Sequence, residues 1–156
     1  MPSRHSRQPN PSFDDLMAVA RQAVASACDI KPEEVEIDED GEIGFDQDGS
    51  AVVFVGAETD PPAFTFRSII LDDVQILPRT YELLNRINRD IKIGAFFCGD
   101  KSIYFYYHLL VDAPTSELVK YALCLSVQIA DTYDDSLKTQ LGGERFNEAP
   151  EDEIDV

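Results

Sequence analysis

Carboxylates are the groups in this chain with the most obvious chemical potential. In EIDEDGEIGFDQ, residues 36–47, Glu36, Asp38 and Asp40 alternate, Gly41 follows, and Ile43 stands where a calcium loop places an apolar residue. The twelfth position is Gln47 instead of the bidentate Glu that calcium requires, and the flanking pattern is not helical. The loop therefore reads as a hairpin with acidic strand ends. A second cluster, Asp131, Asp134 and Asp135, falls at helical spacing. Like charges one turn apart repel unless compensated. No histidine is spaced to complete a metal site there, so a solvated face, or one meeting a basic group from a neighbouring helix, is expected. Neither a metal nor a cofactor is expected anywhere.

Nucleophilic chemistry has little to work with. His108 lies among tyrosines in a strand-like run, and His5 sits in a polar N-terminal arm, so any Ser-His or Cys-His pair would need His108 as its base. Nothing near Cys98 obviously lowers its pKa. Neither GxGxxG nor GxxxxGK occurs. No catalytic residues are assigned, and the chain is expected not to be an enzyme. Cations concentrate at Arg79, Arg86, Arg89 and Lys92, near the C-terminal end of a short helix. Internal charge balance is the plain reading of that patch, and an acidic partner peptide the functional one.

These side chains must be held by a scaffold whose elements are legible from periodicity. Ser12 can cap a helix over residues 13–28, where Phe13, Leu16, Met17, Ala20, Val24 and Ala27 recur at helical spacing. The period then changes to two. VEIDEDGEIGFDQDGSAVVFVGAE reads as three short strands split at Asp40-Gly41 and Asp48-Gly49. After the break Asp60-Pro61-Pro62, residues 63–71 form a fourth strand. A short amphipathic helix over 79–89 follows, with Tyr81, Leu83, Leu84 and Ile87 on its apolar side. A long helix over 116–141 ends at Gly142-Gly143, a common stop. Its apolar arc is wide: beside the main stripe runs a second, Val119, Leu123 and Val127, expected to pack on the first helix or to form a dimer interface.

Between the last two helices lies IKIGAFFCGDKSIYFYYHLL, residues 91–110. It reads as a hairpin turning at Gly99-Asp100. A half-buried hairpin should show one polar face. Here Ile103, Phe105, Tyr107 and Leu109 point one way, while Tyr104, Tyr106, His108 and Leu110 share the other with Ile93, Ala95 and Phe97. Both faces want cover. Helix, second subunit and client segment are the three candidates for the second face. Partner contact is expected at Tyr104, Tyr106, His108, Ile93 and Phe97, and on the helix at Arg86 and Arg89.

The formal net charge is −17, from 30 acidic and 13 basic residues. Such a surface disfavours nucleic acid and anionic lipid. Three cysteines without a CxxC pair suit a reducing cytoplasm, with Cys28 and Cys124 expected as small buried hydrophobes. The basic start MPSRHSRQPNPS has no apolar segment behind it, which does not read as a secretory signal. No run of 18 apolar residues suggests a membrane span. The expected organisation is a disordered arm over 1–12, one domain over 13–143, and a disordered acidic tail over 144–156.

The order of elements, the DPP break at Asp60–Pro62, LLNRIN at Leu83–Asn88, and ADTYDDSLKTQLGG at Ala130–Gly143 together resemble the YbjN-like family, grouped with type III secretion chaperones of the CesT type. The last two segments resemble that family's LN-x-LN helix and D-x-x-D-D…GG ending. The resemblance implies an α+β fold: a twisted antiparallel sheet of about five to six strands packed by helices, in the order α-β-β-β-β-α-β-β-α. It also implies a chaperone-like, peptide-binding role, often as a homodimer. SIYFYYHLL departs from the family in being more aromatic. The chain is thus expected to be a noncatalytic, cytoplasmic, homodimeric protein- or peptide-binding module. The alternatives are a small-ligand or metal-dependent regulator, or a structural subunit of a larger complex.

Overall fold

The computed structural model describes residues 9–146. Helix α1 spans Phe13–Cys28 and opens on a capping box: Asp15 N–H donates to Ser12 Oγ, and Ser12 N–H donates to the Asp15 carboxylate. A short 3-10 turn at Pro32–Glu34 leads into strands β1 (Ile43–Phe45), β2 (Val53–Thr59) and β3 (Pro62–Leu71). Helix α2 (Pro78–Asp90), strands β4 (Ala95–Gly99) and β5 (Ser102–Leu110), and helix α3 (Ser116–Leu141) complete the order. The five strands form one antiparallel sheet in the order β1-β2-β3-β5-β4.

One expected strand is missing. Val35–Glu39 is not paired, because Asp38 ties the chain into a closed loop. Its carboxylate accepts from the N–H groups of Asp40 and Glu42, and its own N–H donates to Glu42 C=O. An acidic side chain that satisfies nearby backbone groups competes with a ladder. The hairpin turn is also displaced by one residue. Gly99 pairs with Ser102, and the loop consists of Asp100 and Lys101, both left-handed at φ 49° and 66°. Outside anchors fix this register: Lys101 C=O accepts from Val74 N–H, and Ser102 Oγ donates to the Asp72 carboxylate. The Ser102 hydroxyl and the Asp73 N–H hold the Asp72 carboxyl below its ordinary value.

All three helices lie on one face of the sheet. Ile43, Phe45, Val53, Val55, Phe64 and Phe66 form a buried cluster with α1 and the first half of α3. Phe96, Ile103 and Phe105 form a second with Leu84 and Ile87 of α2 and Ala130 and Leu137 of α3. The strand registers place all of these side chains on the same side.

The second stripe of α3 is resolved by this packing. Val119 and Leu123 are 0% exposed and Val127 is 1% exposed, packed in the cluster that α1 completes. The expectation of a dimer interface at Val119, Leu123 and Val127 is therefore corrected: α1 covers them within the chain. Cys28 is also corrected, since it is exposed at the end of α1, and Cys124 is half-buried.

Residues 144–146, expected in the tail, pack on the domain. Gly142 and Gly143 both adopt positive φ and return the chain to the sheet, where Asp72 and Glu144 exchange backbone hydrogen bonds. Residues 1–8 and 147–156, within the expected arm and tail, lie outside the described residues.

Candidate functional site: an open aromatic face

Among the described residues no helix covers the opposite face of the sheet, which only Phe146 touches, at its border. Period two assigns its occupants. Registers align Phe97 with Tyr104 and Ala95 with Tyr106; then Ile69 with Tyr104, Arg67 with Tyr106, Thr65 with His108 and Ala63 with Leu110; then Phe54 with Arg67. The rings make a ladder. Phe97 and Tyr104 stack at 5.2 Å between centroids, Phe97 and Tyr106 lie at 6.3 Å, and Tyr106 and His108 at 4.6 Å. Phe97 is 45% exposed and Leu110 is 68% exposed. Large apolar side chains grouped on one open surface mark an interaction site more often than scattered ones.

The polar groups of the face are acidic or neutralised. The Arg67 guanidinium donates to the Glu42 carboxylate at 2.6 Å and lies over the Phe54 ring at 5.0 Å. Beside this pair, a Cβ on Gly56 would crowd the Thr65 hydroxyl at 2.8 Å. His108 Nε2 stands 3.6 Å from Glu58, an ion pair only when the imidazole is protonated. The Tyr106 phenol is pushed up by burial first and by the Glu58 carboxylate second, against a lowering hydrogen bond from Thr65. It stays neutral at physiological pH. The face offers aromatic area, hydroxyls that tolerate water, and a negative rim.

Of the residues predicted for partner contact, the structure brings Tyr104, Tyr106, His108 and Phe97 together on this face. Ile93 is not in a strand; it is half-buried in the turn before β4. Arg86 and Arg89 are exposed on α2, which packs against the helix-side cluster, so they belong to a different surface. Among the described residues no carboxylate lies within ion-pair distance of Arg79, Arg86, Arg89 or Lys92. Leu110, placed on this face by strand parity, lies there, and Ile69, Phe54 and Phe146, which extend it, were missed. Residues 63–71 carry apolar side chains on both parities, which was a readable signal. Phe146, whose ring meets Phe54 edge-on at 5.7 Å, falls in the segment expected as a tail, where a large apolar ring among acids was the only hint of docking.

The acidic clusters do structural work. Asp131 accepts from Ala51 N–H, and buried Asp134 accepts from the Ser50 hydroxyl. The compensating cation comes from the C-terminal segment, not from α2: Arg145 pairs with Asp135 and reaches Asp134 at 4.0 Å. Among the described residues no three His, Cys, Asp or Glu side chains gather as a metal site. Cys98 shares strand parity with Phe96 and packs at the helix-side cluster, while His108 points to the open face, so the two cannot act as a pair. Burial, Asp46 and Cys124 push the Cys28 thiol up, away from reactivity. None of the described helices is long and apolar enough to cross a membrane.

An antiparallel sheet packed by helices in this order is a fold shared with solved type III secretion chaperone structures. Three solved structures are similar in fold at low identity. The ExsC–ExsE complex matches with a TM-score of 0.57 at 16% identity, covering 76% of this chain and 92% of that one. The Yersinia pestis type III secretion chaperone SycH with a fragment of YscM2 gives 0.51 at 15%, covering 74% and 97%. The HopA1–SchA chaperone–effector complex gives 0.54 at 10%, covering 80% and 99%. The chain belongs to the family of T3SS (YopN, CesT) and YbjN peptide-binding chaperones 1, whose model matches residues 14–149. By sequence, no curated protein matches the chain significantly.

Proposed function

We propose that the chain is a noncatalytic binding module that takes up a protein segment on its open aromatic face, in the manner of a chaperone. The observation that carries this reading is the Phe97–Tyr104–Tyr106–His108 ladder, exposed at Phe97 and His108 and half-buried at the two tyrosines, on a face that no helix covers. Tyrosine suits such a surface because it buries large area with few rotamers to freeze. Membership in a peptide-binding family, and the partner polypeptides named in the three similar complexes, support a protein ligand over a small molecule.

The reading includes a homodimer in the cytoplasm. Three free cysteines support a reducing compartment. With the inner stripe of α3 already buried, a second copy would meet its outward residues Leu118 and Tyr121, which are exposed at 42% and 69%.

The test is a capture from native lysate with the wild-type chain and with Tyr104→Ser/Tyr106→Ser. The expected outcome is one partner lost by the double variant while the melting temperature moves by less than about 4 °C. A partner retained at wild-type level by a folded double variant would overturn the assignment of the face. Light scattering on the same samples reads the dimer, and a mass that stays at 17.4 kDa across concentrations would remove that part.

A further inference from the structure

Four of the 13 basic residues of this acidic chain, Arg79, Arg86, Arg89 and Lys92, fall between positions 79 and 92, where only Glu82 and Asp90 oppose them. All four are exposed, and no described carboxylate pairs with them. Arg79 also stands against the α2 dipole, in a first turn that holds no acid. The patch is thus a place where added negative charge is favoured, in a chain of net charge −17.

Two of these arginines belong to a shaped site. Arg79, Glu82, Leu83 and Arg86 recur at i, i+3, i+4 and i+7, one stripe of α2. With Gln140 and Leu141 in the last turn of α3 they line a groove of about 290 Å³. Leu83 and Leu141 are half-buried and supply its apolar lining. Arg79 and Arg86 stand on either side of Leu83, about 10 Å apart along the helix axis. An occupant that suits this groove carries an apolar side chain between acids.

The segment after Phe146 has that pattern. Residues 147–156, NEAPEDEIDV, carry carboxylates at Glu148, Glu151, Asp152, Glu153 and Asp155 and no cation. Ile154 is flanked by Glu153 and Asp155. In an extended segment Asp152 and Asp155 are about 10 Å apart, which matches the two arginines. Covalent geometry puts the groove within reach. Leu141 lines it and precedes Phe146 by five residues, so the two lie at most about 18 Å apart. Ile154 follows Phe146 by eight residues, which extend to about 26 Å. The aromatic face is a poorer seat for an acidic segment, since Glu42 and Glu58 border it and Arg67 is committed to Glu42.

We propose that residues 147–156 dock within their own chain, in the groove between α2 and the last turn of α3, with Ile154 against Leu83 and Leu141 and the flanking carboxylates on Arg79 and Arg86. This contact is independent of the reading of the aromatic face.

The experiment uses the full chain throughout. One variant combines Glu151→Gln, Asp152→Asn, Glu153→Gln and Asp155→Asn, which removes charge and keeps shape. The probe is a fluorescent peptide of residues 147–156 with blocked ends. A tethered segment competes at high effective concentration, so the neutral variant should bind the probe at least about tenfold more tightly than the wild type. Adding Arg79→Ser and Arg86→Ser to the neutral variant should return probe binding to the wild-type level or below. Both arginines are exposed, so the melting temperature should move by less than about 4 °C. In isotope-labelled samples, neutralising the segment should shift the amides of Leu83, Arg86 and Leu141, leave Tyr104 and Tyr106 in place, and do so equally at low and high protein concentration.

Equal probe affinity for the wild type and the neutral variant overturns the proposal; if that affinity is high, the groove takes an acidic segment from another molecule. Shifts seen only at high concentration place the segment on a second copy and overturn it as well. So does a probe that binds undiminished without Arg79 and Arg86. The comparison of wild type with neutral variant leaves the groove itself unaltered, so it decides the matter even if the arginine variant folds poorly.

Discussion

Asp134 shows how a single residue can be misjudged by its chemistry. In sequence it belongs to an acidic cluster on a helix, open to a metal or to water. In the fold it is buried at 3% exposure, receives the Ser50 hydroxyl, and faces Arg145. Its neighbour Asp131 rests on Gly49, where any side chain would collide with the carboxylate, and accepts from Ala51 N–H. The two carboxylates therefore pin the loop before β2 onto α3. Removing Asp134 orphans a hydroxyl and leaves Arg145 with Asp135, which is largely exposed. Asp134→Ala is expected to cost about 2 to 3 kcal/mol, the scale of a hydrogen bond to a charged group in a buried setting. Urea unfolding with an unchanged m-value would read this. A loss below about 0.5 kcal/mol would show that the loop is held by other contacts.

At the level of elements, periodicity carried the reading far where one side of an element is buried by its own neighbours. The boundaries of α1 and α3 and the existence of all the strands from β2 onward follow from it. It failed at Val35–Glu39, where apolar alternation suggested a strand but the Asp38 carboxylate captured the backbone first. It could not choose between α1 and a second copy as the cover for Val119, Leu123 and Val127, because apolar arc records burial and not the identity of the neighbour. Similarly, the two-faced hairpin stated that one face lacked cover. Only the placement of α2 beside α1 and α3 showed which one. The two hydrogen bonds that the Asn88 carboxamide exchanges with the main chain of Phe96 were unreadable, since they depend on α2 and β4 meeting in space. Leu123 now carries a sharp expectation. A glutamate there would bury a charge against α1, so Leu123→Glu should lose at least about 4 kcal/mol. A well-folded monomer with native far-ultraviolet dichroism and melting temperature would contradict the packing described for α1 and α3.

For the whole molecule, the strong acidity and the one-sided layering belong together. Twenty-six helical residues of α3 and the two other helices commit their apolar surface to one side of a five-stranded sheet. The other side is left aromatic, in a chain whose net charge opposes nonspecific aggregation through that exposed area. The domain also extends beyond the Gly142-Gly143 stop. Glu144 exchanges two backbone hydrogen bonds with Asp72, at 2.7 and 2.9 Å; Arg145 closes on Asp134 and Asp135; and Phe146 meets Phe54 at the border of the open face. These three residues join the segment after α3 to the residue that follows β3, to α3 and to the candidate site at once. Two truncations isolate them. Ending the chain after Phe146 keeps every one of these contacts, whereas ending it after Gly143 removes them all. The difference between the two should be about 3 kcal/mol, from two main-chain bonds, a charged pair in a partly buried setting and one aromatic contact. Thermal unfolding should place the shorter chain roughly 6 to 12 °C below the longer. Coincident melting curves would mean that the segment rests on the sheet without stabilising it, and that the border of the aromatic face is set by Phe54 alone.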